Sequence, residues 1–392
     1  MRFVLKFGGS SLSSATKIKN IASYIKNIKG RKDVELVIVV SAMGKTTNKL
    51  IKLAGELSPN PYSTNYSSLI SCGENISASA LALALEEENI PSISLTAKDI
   101  KIYAKGKATN ALITHIDTHK IEHHLSCGKV VIITGFQGIN ENEELLTLGR
   151  GGSDTTATAL GTVLNAKVKI FTDVRGYYTF DPNKHSNAKQ IKSLPITSAL
   201  ILSSFGAKVL DHRSLEIVNK YKTDISVCKS LTNQGTIINY SNLESFHTDG
   251  ISLKQNISFV KYTYKKDDFL QHIKENCCFK TYFCSYETTN QSTTCCFLSD
   301  ITPKELSALI VKKSHKFECF YCDCAVIAGS GLTFYPEVIK KVQNILKINH
   351  IKYFFINLSP TDIKICTKQK QGSRLVQLLM KEFNLEEKEE QK

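Results

Sequence analysis

The residues best suited to chemistry in this chain lie in the glycine-rich stretch from Thr147 to Ala157, which reads TLGRGGSDTTA. Its glycines let backbone N–H groups approach a ligand closely, and Ser153 and Asp154 are suited to cap a helix that begins there. Arg150 adds a guanidinium, a planar fork of donors for an anion. Because free N–H groups and the helix dipole both favour negative charge, the stretch predicts an anion-binding loop.

Along the chain, the first glycine loop is Lys6 to Ser11, which follows an alternating strand at Arg2 to Leu5, and the second is Gly149 to Gly152 in the stretch just described. The first loop is not a Walker A motif, because its lysine precedes the glycines. A lysine at a strand end, above two glycines, would place an ammonium beside phosphate oxygens held by backbone amides, as phosphoryl transfer requires. The alternative for Lys6 is an ordinary surface lysine after a strand.

Composition limits the classes of function. With 392 residues the chain is long enough for about two to three domains, and 42% hydrophobic residues are typical of a globular protein. The formal charge of +14 is scattered without a basic stripe, which argues against nucleic-acid binding. We expect no membrane span and no signal peptide, and therefore a cytoplasmic protein whose twelve cysteines are reduced.

Apolar strands alternate with helices up to about residue 230, which predicts an open, mostly parallel α/β sheet with its ligands beyond the carboxyl ends of the strands. The long helix of this part is expected at Ser67 to Glu88. Further strands are expected at Val34 to Val40, Ser92 to Thr96, Val130 to Thr134 and Lys167 to Thr172.

A shift towards Asn, Ser, Thr and Lys near residue 241 suggests a linker at 241–255. After it, the pattern from Ala325 to Phe383 reads β-α-β-β-α, a ferredoxin-like module, and residues 256–300 read as a weaker copy of its first half. The expected domains are therefore 1–240, 256–323 and 324–392.

Together these motifs resemble the aspartokinases, amino-acid kinases in which the kinase domain is followed by two ACT modules that sense end-product amino acids. The resemblance rests on Lys6–Ser11, Ser41–Gly44 with Thr46–Asn48, Cys72–Glu74, Gly135–Gly138, Gly149–Thr156, Phe171–Tyr178, Asp181–Pro182 and Gly206–Leu210. It implies the amino-acid kinase fold, and ATP-dependent phosphorylation of the β-carboxylate of L-aspartate. That reaction is the first step towards lysine, threonine, methionine and diaminopimelate.

The resemblance also implies roles for individual residues. Lys6 would contact the transferring phosphoryl group, and Asp154 would orient that lysine and the phosphates bound to Mg²⁺. Arg150 would clamp the α-carboxylate of aspartate, and Glu74 would receive its ammonium. The other expected substrate contacts are Ser41, Thr47, Phe136 and Ser153, and the other expected ATP contacts are Phe7, Gly8, Gly9, Ser10, Thr172, Asp173, Tyr178, Asn183, Lys208 and Val209.

The chain departs from the family pattern at two places. Asn183 stands where the family usually has arginine, which predicts weaker ATP binding, and Asp211 is unusual in the segment after Leu210. The stretch Tyr264 to Phe269 lacks the glycine turn of family sensors, so feedback by lysine or threonine is expected to be weak or altered. A homodimer through the ACT modules is implied by the resemblance alone.

Several alternatives stay open. Glu74 could be a cap or a surface carboxylate, and Asp173 a turn residue that also shapes the nucleotide pocket. The cysteines from Cys319 to Cys324 suit a metal site less well than a buried strand, because no matching second pair follows. Histidines at 115, 119, 123 and 124 read as a solvated helix face. The chain as a whole could be another amino-acid kinase, or an idle amino-acid sensor on a kinase scaffold.

Overall fold

A computed structural model describes residues 1–31, 33–59, 63–240, 247–265, 281–288, 292–310 and 316–387. The chain divides into two compact units. The first comprises Met1–Tyr177, Gln190–Leu200 and Lys208–Ser241, and the second comprises Tyr178–Lys189, Ile201–Ala207 and Asn242–Lys392. The segments 178–189 and 201–207 thus group with the second unit, although sequence reasoning assigned them to the first domain.

Eight strands of the first unit form one sheet in the described chain, parallel except where β11 meets β12. In spatial order they are β10 (Ser193–Pro195), β12 (Gly235–Asn239), β11 (Ile225–Lys229), β9 (Lys167–Thr172), β1 (Arg2–Phe7), β2 (Glu35–Val40), β6 (Val130–Thr134) and β3 (Ser92–Leu95). Residues 36–40 of β2 are fully buried, as expected of a parallel strand covered on both faces.

The register of the central strands determines where ligands can bind. Phe7, the last residue of β1, lies opposite Val40 on one side and Phe171 on the other, and Val40 lies opposite Thr134. Four parallel strands therefore end at the same edge of the sheet, and the turns that follow them are brought together there.

The helices of this part of the chain follow their strands. Among the described residues up to 240 they are α1 (Ala15–Lys29), α2 (Thr46–Leu57), α3 (Thr64–Glu87), α4 (His119–Ser126), α5 (Gly152–Val163), α6 (Ile196–Ser204) and α7 (His212–Tyr221). By length and composition alone α3 could cross a membrane, which the sequence analysis did not expect. However, α3 packs against β3 and β6 and buries Glu74 among its polar residues, the behaviour of a core helix.

A smaller sheet in the first unit carries the β4–β5 hairpin beside a second pair of strands. Its order is β5 (Asn110–Ile116), β4 (Ile102–Lys107), β7 (Gln137–Ile139) and β8 (Leu145–Thr147). His115 lies on β5, so the expectation that it shares a helix with the other three histidines was wrong. Within the described residues those three lie on α4.

The second unit contains one antiparallel sheet, which has six strands within the described ranges. In spatial order they are β14 (Thr281–Thr288), β15 (Ser292–Ser299), β13 (His247–Lys265), β16 (Lys316–Ser330), β18 (Asp362–Lys368) and β17 (Tyr353–Leu358). The helices that the structure describes in this unit are α8 (Pro303–Ile310), α9 (Pro336–Ile348) and α10 (Gly372–Glu382), with a 3-10 turn at Leu332–Phe334.

The succession β16-α9-β17-β18-α10 has the predicted ferredoxin-like order, and α8 lies where a helix was expected at 303–313. Residues 311–313 of that prediction lie outside the described chain. Residues 247–255 form part of β13, whereas composition suggested a linker. Ile251 and Leu253 are buried where β13 pairs with β16. These two apolar residues are surrounded by polar ones in the sequence, so the strand was not predicted.

Candidate active site

Lys6 and Asp154 form an ion pair at the edge where the central strands end. Lys6 Nζ lies 2.5 Å from Asp154 Oδ1, and their side chains are only 12% and 13% exposed. Asp154 belongs to the first turn of α5, where the helix dipole favours a negative charge. Lys6 and Asp154 are 148 positions apart in the sequence, yet the fold brings their ammonium and carboxylate groups into contact.

The first glycine loop lies directly beside this pair. A Cβ on Gly8 would be 3.6 Å from Lys6 Nζ, so the ammonium lies close to the first of the two glycines. A Cβ on Gly9 would be only 2.6 Å from the carbonyl oxygen of Ala42. The N–H of Gly44 donates to the carbonyl of Gly9 at 2.9 Å, so the turns after β1 and β2 form one joined structure.

Glu74 is buried on α3 and reaches into the turn after β2. Its Oε1 accepts a hydrogen bond from the N–H of Ala42 at 3.0 Å, whereas its buried Oε2 has no partner in the described residues. Burial raises the pKa of the Glu74 carboxyl to about 7, and the bond from Ala42 opposes that rise. A buried carboxylate oxygen without a partner is unfavourable, so the site suits a cationic group brought by a ligand.

The second glycine loop lies between β8 and α5. Gly149 and Gly151 have φ values of 79° and 72°, and Gly151 is the N-cap of α5 without a side-chain capping bond. Ser153 lies against Gly135 at the end of β6, where an added Cβ would be 2.7 Å from its Oγ. Arg150, between the two glycines, is exposed, and Phe136 has a rare φ of 70° beside Gly152.

Four other predicted site residues of the first unit have contacts that do not by themselves indicate a ligand. Ser41 and Thr47 are half-buried, at the end of β2 and in the first turn of α2. Phe7 is fully buried and stacks on Phe171 with ring centroids 4.8 Å apart, so only its backbone remains for a ligand. Ser10 is exposed, and its carbonyl accepts from a lysine of α1.

The predicted nucleotide residues fall into both units. Thr172 and Asp173 follow β9 in the first unit, where the Thr172 hydroxyl donates to Asp173 Oδ1 at 3.0 Å. Lys208 is exposed and Val209 half-buried in the same unit. Tyr178 and Asn183 belong to the second unit, and Asn183 donates to Asp181. Their nucleotide roles stay predictions.

Gln137 is a residue to which the sequence analysis assigned no role. Its amide donates to the carbonyl of Ser71 at 3.1 Å and to Asn75 Oδ1 at 2.8 Å, and its Oε1 accepts from the hydroxyl of Thr134 at 2.9 Å. It therefore connects the end of β6 to the turns of α3 on either side of Glu74. The sequence signal for such a role is that Gln137 is a polar residue in an otherwise apolar strand region.

The cysteines of the second unit behave as buried apolar side chains. Cys322, Cys324 and Cys366 are fully buried on neighbouring strands, and burial raises the pKa of the Cys319 thiol to about 11. Within the described ranges, no group of three or more His, Cys, Asp or Glu is arranged to hold a metal ion.

Comparison with known proteins adds to this geometry. Residues 1–229 match the model of the amino acid kinase family. An aspartokinase of Rickettsia felis is 39% identical over 276 residues, which are 68% of this chain and 69% of the relative. One from Bacillus sp. (strain MGA3) is 42% identical over 238 residues, which are 60% of this chain but only 57% of the relative's length.

Among solved structures, E. coli aspartokinase III in complex with aspartate and ADP superimposes with a TM-score of 0.81 at 20% identity, over 97% of this chain and 99% of that one. At that identity the likeness concerns the fold alone, and it extends through the C-terminal sheet. The family match covers more than half of the chain, and the Rickettsia relative is matched over two thirds of its length. The chain therefore belongs to the amino acid kinase family, among its aspartokinases.

Proposed function

We propose that the chain transfers the γ-phosphoryl group of ATP to the β-carboxylate of L-aspartate. The observation that carries the proposal is Glu74, whose buried Oε2 has no partner in the described chain, at the sheet edge that also holds the Lys6–Asp154 pair. The Glu74 carboxylate suits the ammonium of an amino acid, and the Lys6 ammonium suits phosphate oxygens. The relatives named aspartokinase support the same assignment.

Lys6 would stabilise the negative charge of the transferring phosphoryl group. The ammonium is already fixed above Gly8 by Asp154, so little reorganisation is needed when ATP binds. At Gly9 the turn has no room for a side chain, since a Cβ there would lie 2.6 Å from the carbonyl oxygen of Ala42, so its backbone can approach a phosphate closely.

The substrate itself supplies the nucleophile. An aspartate side chain has an ordinary pKa near ~3.9 and is ionised at neutral pH, so no general base is required. An oxygen of its carboxylate forms a bond to the γ-phosphorus while the bond from phosphorus to the bridging oxygen breaks, and ADP departs. Arg150 is exposed on its loop and available to pair with the α-carboxylate, a fork-to-carboxylate geometry.

Mg²⁺ is expected to enter with ATP and to neutralise part of its phosphate charge. The residues present fit that ion, because Asp154 uses one carboxylate oxygen for Lys6 and offers a second at the same sheet edge. The chain's own contribution remains the orientation of the phosphates by the two glycine loops.

A trapping assay tests the proposal. Purified protein is incubated with ATP, Mg²⁺ and hydroxylamine, and with L-aspartate, L-glutamate, N-acetyl-L-glutamate or a nucleoside monophosphate in turn. ADP release is measured in parallel. Hydroxamate formed with aspartate only is the expected result. Turnover with another acceptor instead would make the chain a different kinase of this family, and no turnover with any acceptor would favour an idle sensor.

Regulation, assembly and location are further parts of the proposal. Feedback by lysine or threonine is predicted to be weak or altered because Tyr264–Phe269 lacks a glycine, although residues 266–269 lie outside the described chain. Inhibition of the kinase by either amino acid well below one millimolar would refute this. A homodimer through the C-terminal modules and a cytoplasmic location remain predictions.

A further inference from the structure

Arg213, in the first turn of α7, makes a set of contacts that the reaction outlined above does not use. Its Nη1 donates to the carbonyl of Leu148 at 2.5 Å and to Asn110 Oδ1 at 3.1 Å, and its Nη2 donates to the carbonyl of Ala111 at 2.8 Å. One half-buried guanidinium thus joins the start of β5 to the residue immediately before the second glycine loop. A planar fork of donors can satisfy these acceptors together, whereas an ammonium cannot.

The same turn of α7 also touches the far end of that loop. Asp211 is the N-cap of α7, and its Oδ1 accepts from the N–H of Arg213 at 3.1 Å. Its side chain lies directly against Gly151, since a Cβ on that glycine would be 2.3 Å from the Asp211 Cβ. Asn110, the side-chain partner of Arg213, lies against Gly149 in the same way, at 2.7 Å from an added Cβ.

These contacts fix the loop on both sides of Arg150. Leu148, Gly149 and Gly151 are each held by Arg213 or by a residue bonded to it, whereas Arg150 has no hydrogen bond or ion pair within the described residues. Gly149 and Gly151 are in left-handed conformations, and the N–H of Gly152 donates to the carbonyl of Gly149 at 3.0 Å across the turn. The contacts with Arg213 and Asp211 attach this turn to α7. The arrangement is that of a rigid frame around one exposed cation.

We propose that Arg213, assisted by Asp211, is a positioning residue that holds the loop of Arg150 in the geometry required to bind the amino-acid substrate. This inference rests on the proposed function, in which Arg150 binds a carboxylate. A misplacement of about 1 Å caused by a mutation far from the chemistry can cost about 10²-fold in rate, so a residue that only positions this loop has a measurable effect.

The test compares Arg213→Ala and Arg213→Lys with Arg2→Ala. Arg2 is a matched control, because its guanidinium also bonds to two side chains and one backbone carbonyl, those of Glu35, Glu122 and Leu164, but at the opposite end of β1 from the ion pair. Arg213→Ala is expected to lower kcat/KM for aspartate by about 10²-fold, chiefly through KM, with the KM for ATP within about twofold of wild type. Arg213→Lys keeps the charge and most of the volume and should recover only part of this loss. Arg2→Ala should change kcat/KM by no more than about twofold.

Hydrogen exchange in the protein without ligands gives a readout that needs no activity. Amides in peptides covering residues 147–155 are expected to exchange faster in both Arg213 variants and at the wild-type rate in Arg2→Ala. Unchanged exchange in the Arg213 variants, or wild-type aspartate KM for Arg213→Lys, would overturn the proposal. If wild-type protein does not phosphorylate aspartate, the proposed function fails, and the exchange experiment still decides whether Arg213 holds the loop.

Discussion

The carboxylate of Glu74 accepts a hydrogen bond from the backbone N–H of Ala42 at 3.0 Å and thereby ties α3 to the turn after β2. The bond uses one oxygen and leaves the other buried. The fold thus positions the Glu74 carboxylate but leaves one of its oxygens without a partner in the described chain, as the proposed role in binding an ammonium requires.

The first prediction concerns pH. The pKa of Glu74 is raised to about 7 by burial, so the free protein carries an increasing fraction of protonated Glu74 as the pH falls below 7. An ammonium pairs with the ionised form, and kcat/KM for aspartate should therefore fall about tenfold per pH unit below 7 and level off above it. Glu74→Gln should lower kcat/KM and abolish this dependence, whereas Glu87→Gln, at an exposed position on the same helix, should retain it.

The second prediction concerns Lys6. Lys6→Met removes the positive charge that would stabilise the transferring phosphoryl group. It should lower kcat about 10²–10³-fold, with little change in the KM for aspartate. Lys169→Met is the control, because Lys169 lies on the neighbouring strand opposite Leu5 and bonds to Asn233 instead. Steady-state kinetics measure both, and equal losses in the two variants would count against a role in the reaction.

The third prediction uses the close approach of two turns. Gly9→Ala would place its Cβ 2.6 Å from the carbonyl oxygen of Ala42, so the turns at Gly9 and Gly44 must separate. We expect a loss of stability of about 1–3 kcal/mol and a raised KM for ATP. Gly55→Ala meets no atom within 4 Å inside α2 and should instead stabilise the protein by about 0.4–1 kcal/mol. Thermal unfolding and ATP titration distinguish the two outcomes.

The fourth prediction concerns the departure at Asn183. Asn183 is exposed and bonds to Asp181, so Asn183→Arg adds a charge without disturbing a core. If this segment contacts the triphosphate, the KM for ATP should fall about 2–5-fold. Asn187→Arg adds the same charge four residues later and should leave the KM unchanged. An unchanged or higher KM for ATP in Asn183→Arg would show that this segment does not contact the nucleotide.

Part of the candidate site's geometry could be predicted from the sequence, because parallel strands bring their carboxyl ends to one edge of the sheet. The bounds of β6 and β9 match the predicted strands: β6 is apolar up to its last residue, and β9 alternates lysine with apolar residues before Ile170 and Phe171. Lys6 and Asp154 meet because α5, whose first turn carries Asp154, packs against β1. The features that could be predicted from the sequence are therefore those that depend on strand order and on the spacing of glycines.

Other parts could not be predicted because their signals are not local. The acceptors of Arg213 include two backbone carbonyls, which leave no pattern in the side chains near residues 110 and 148. Residues 247–255 are polar in composition yet form a strand, because β16 supplies the partner that buries Ile251. His115 lies on a strand for a similar reason, since it pairs with Tyr103 across the β4–β5 hairpin.

The most direct measurement is the identity of the phosphorylated product. Chromatography of the hydroxamate trapped from L-aspartate, ATP and Mg²⁺ against authentic standards, with fragmentation by tandem mass spectrometry, distinguishes the side-chain isomer from the α-carboxylate isomer of equal mass. We predict the side-chain hydroxamate alone, formed by wild-type protein and lost with Lys6→Met. The α-isomer, or equal yields from wild type and Lys6→Met, would contradict the account.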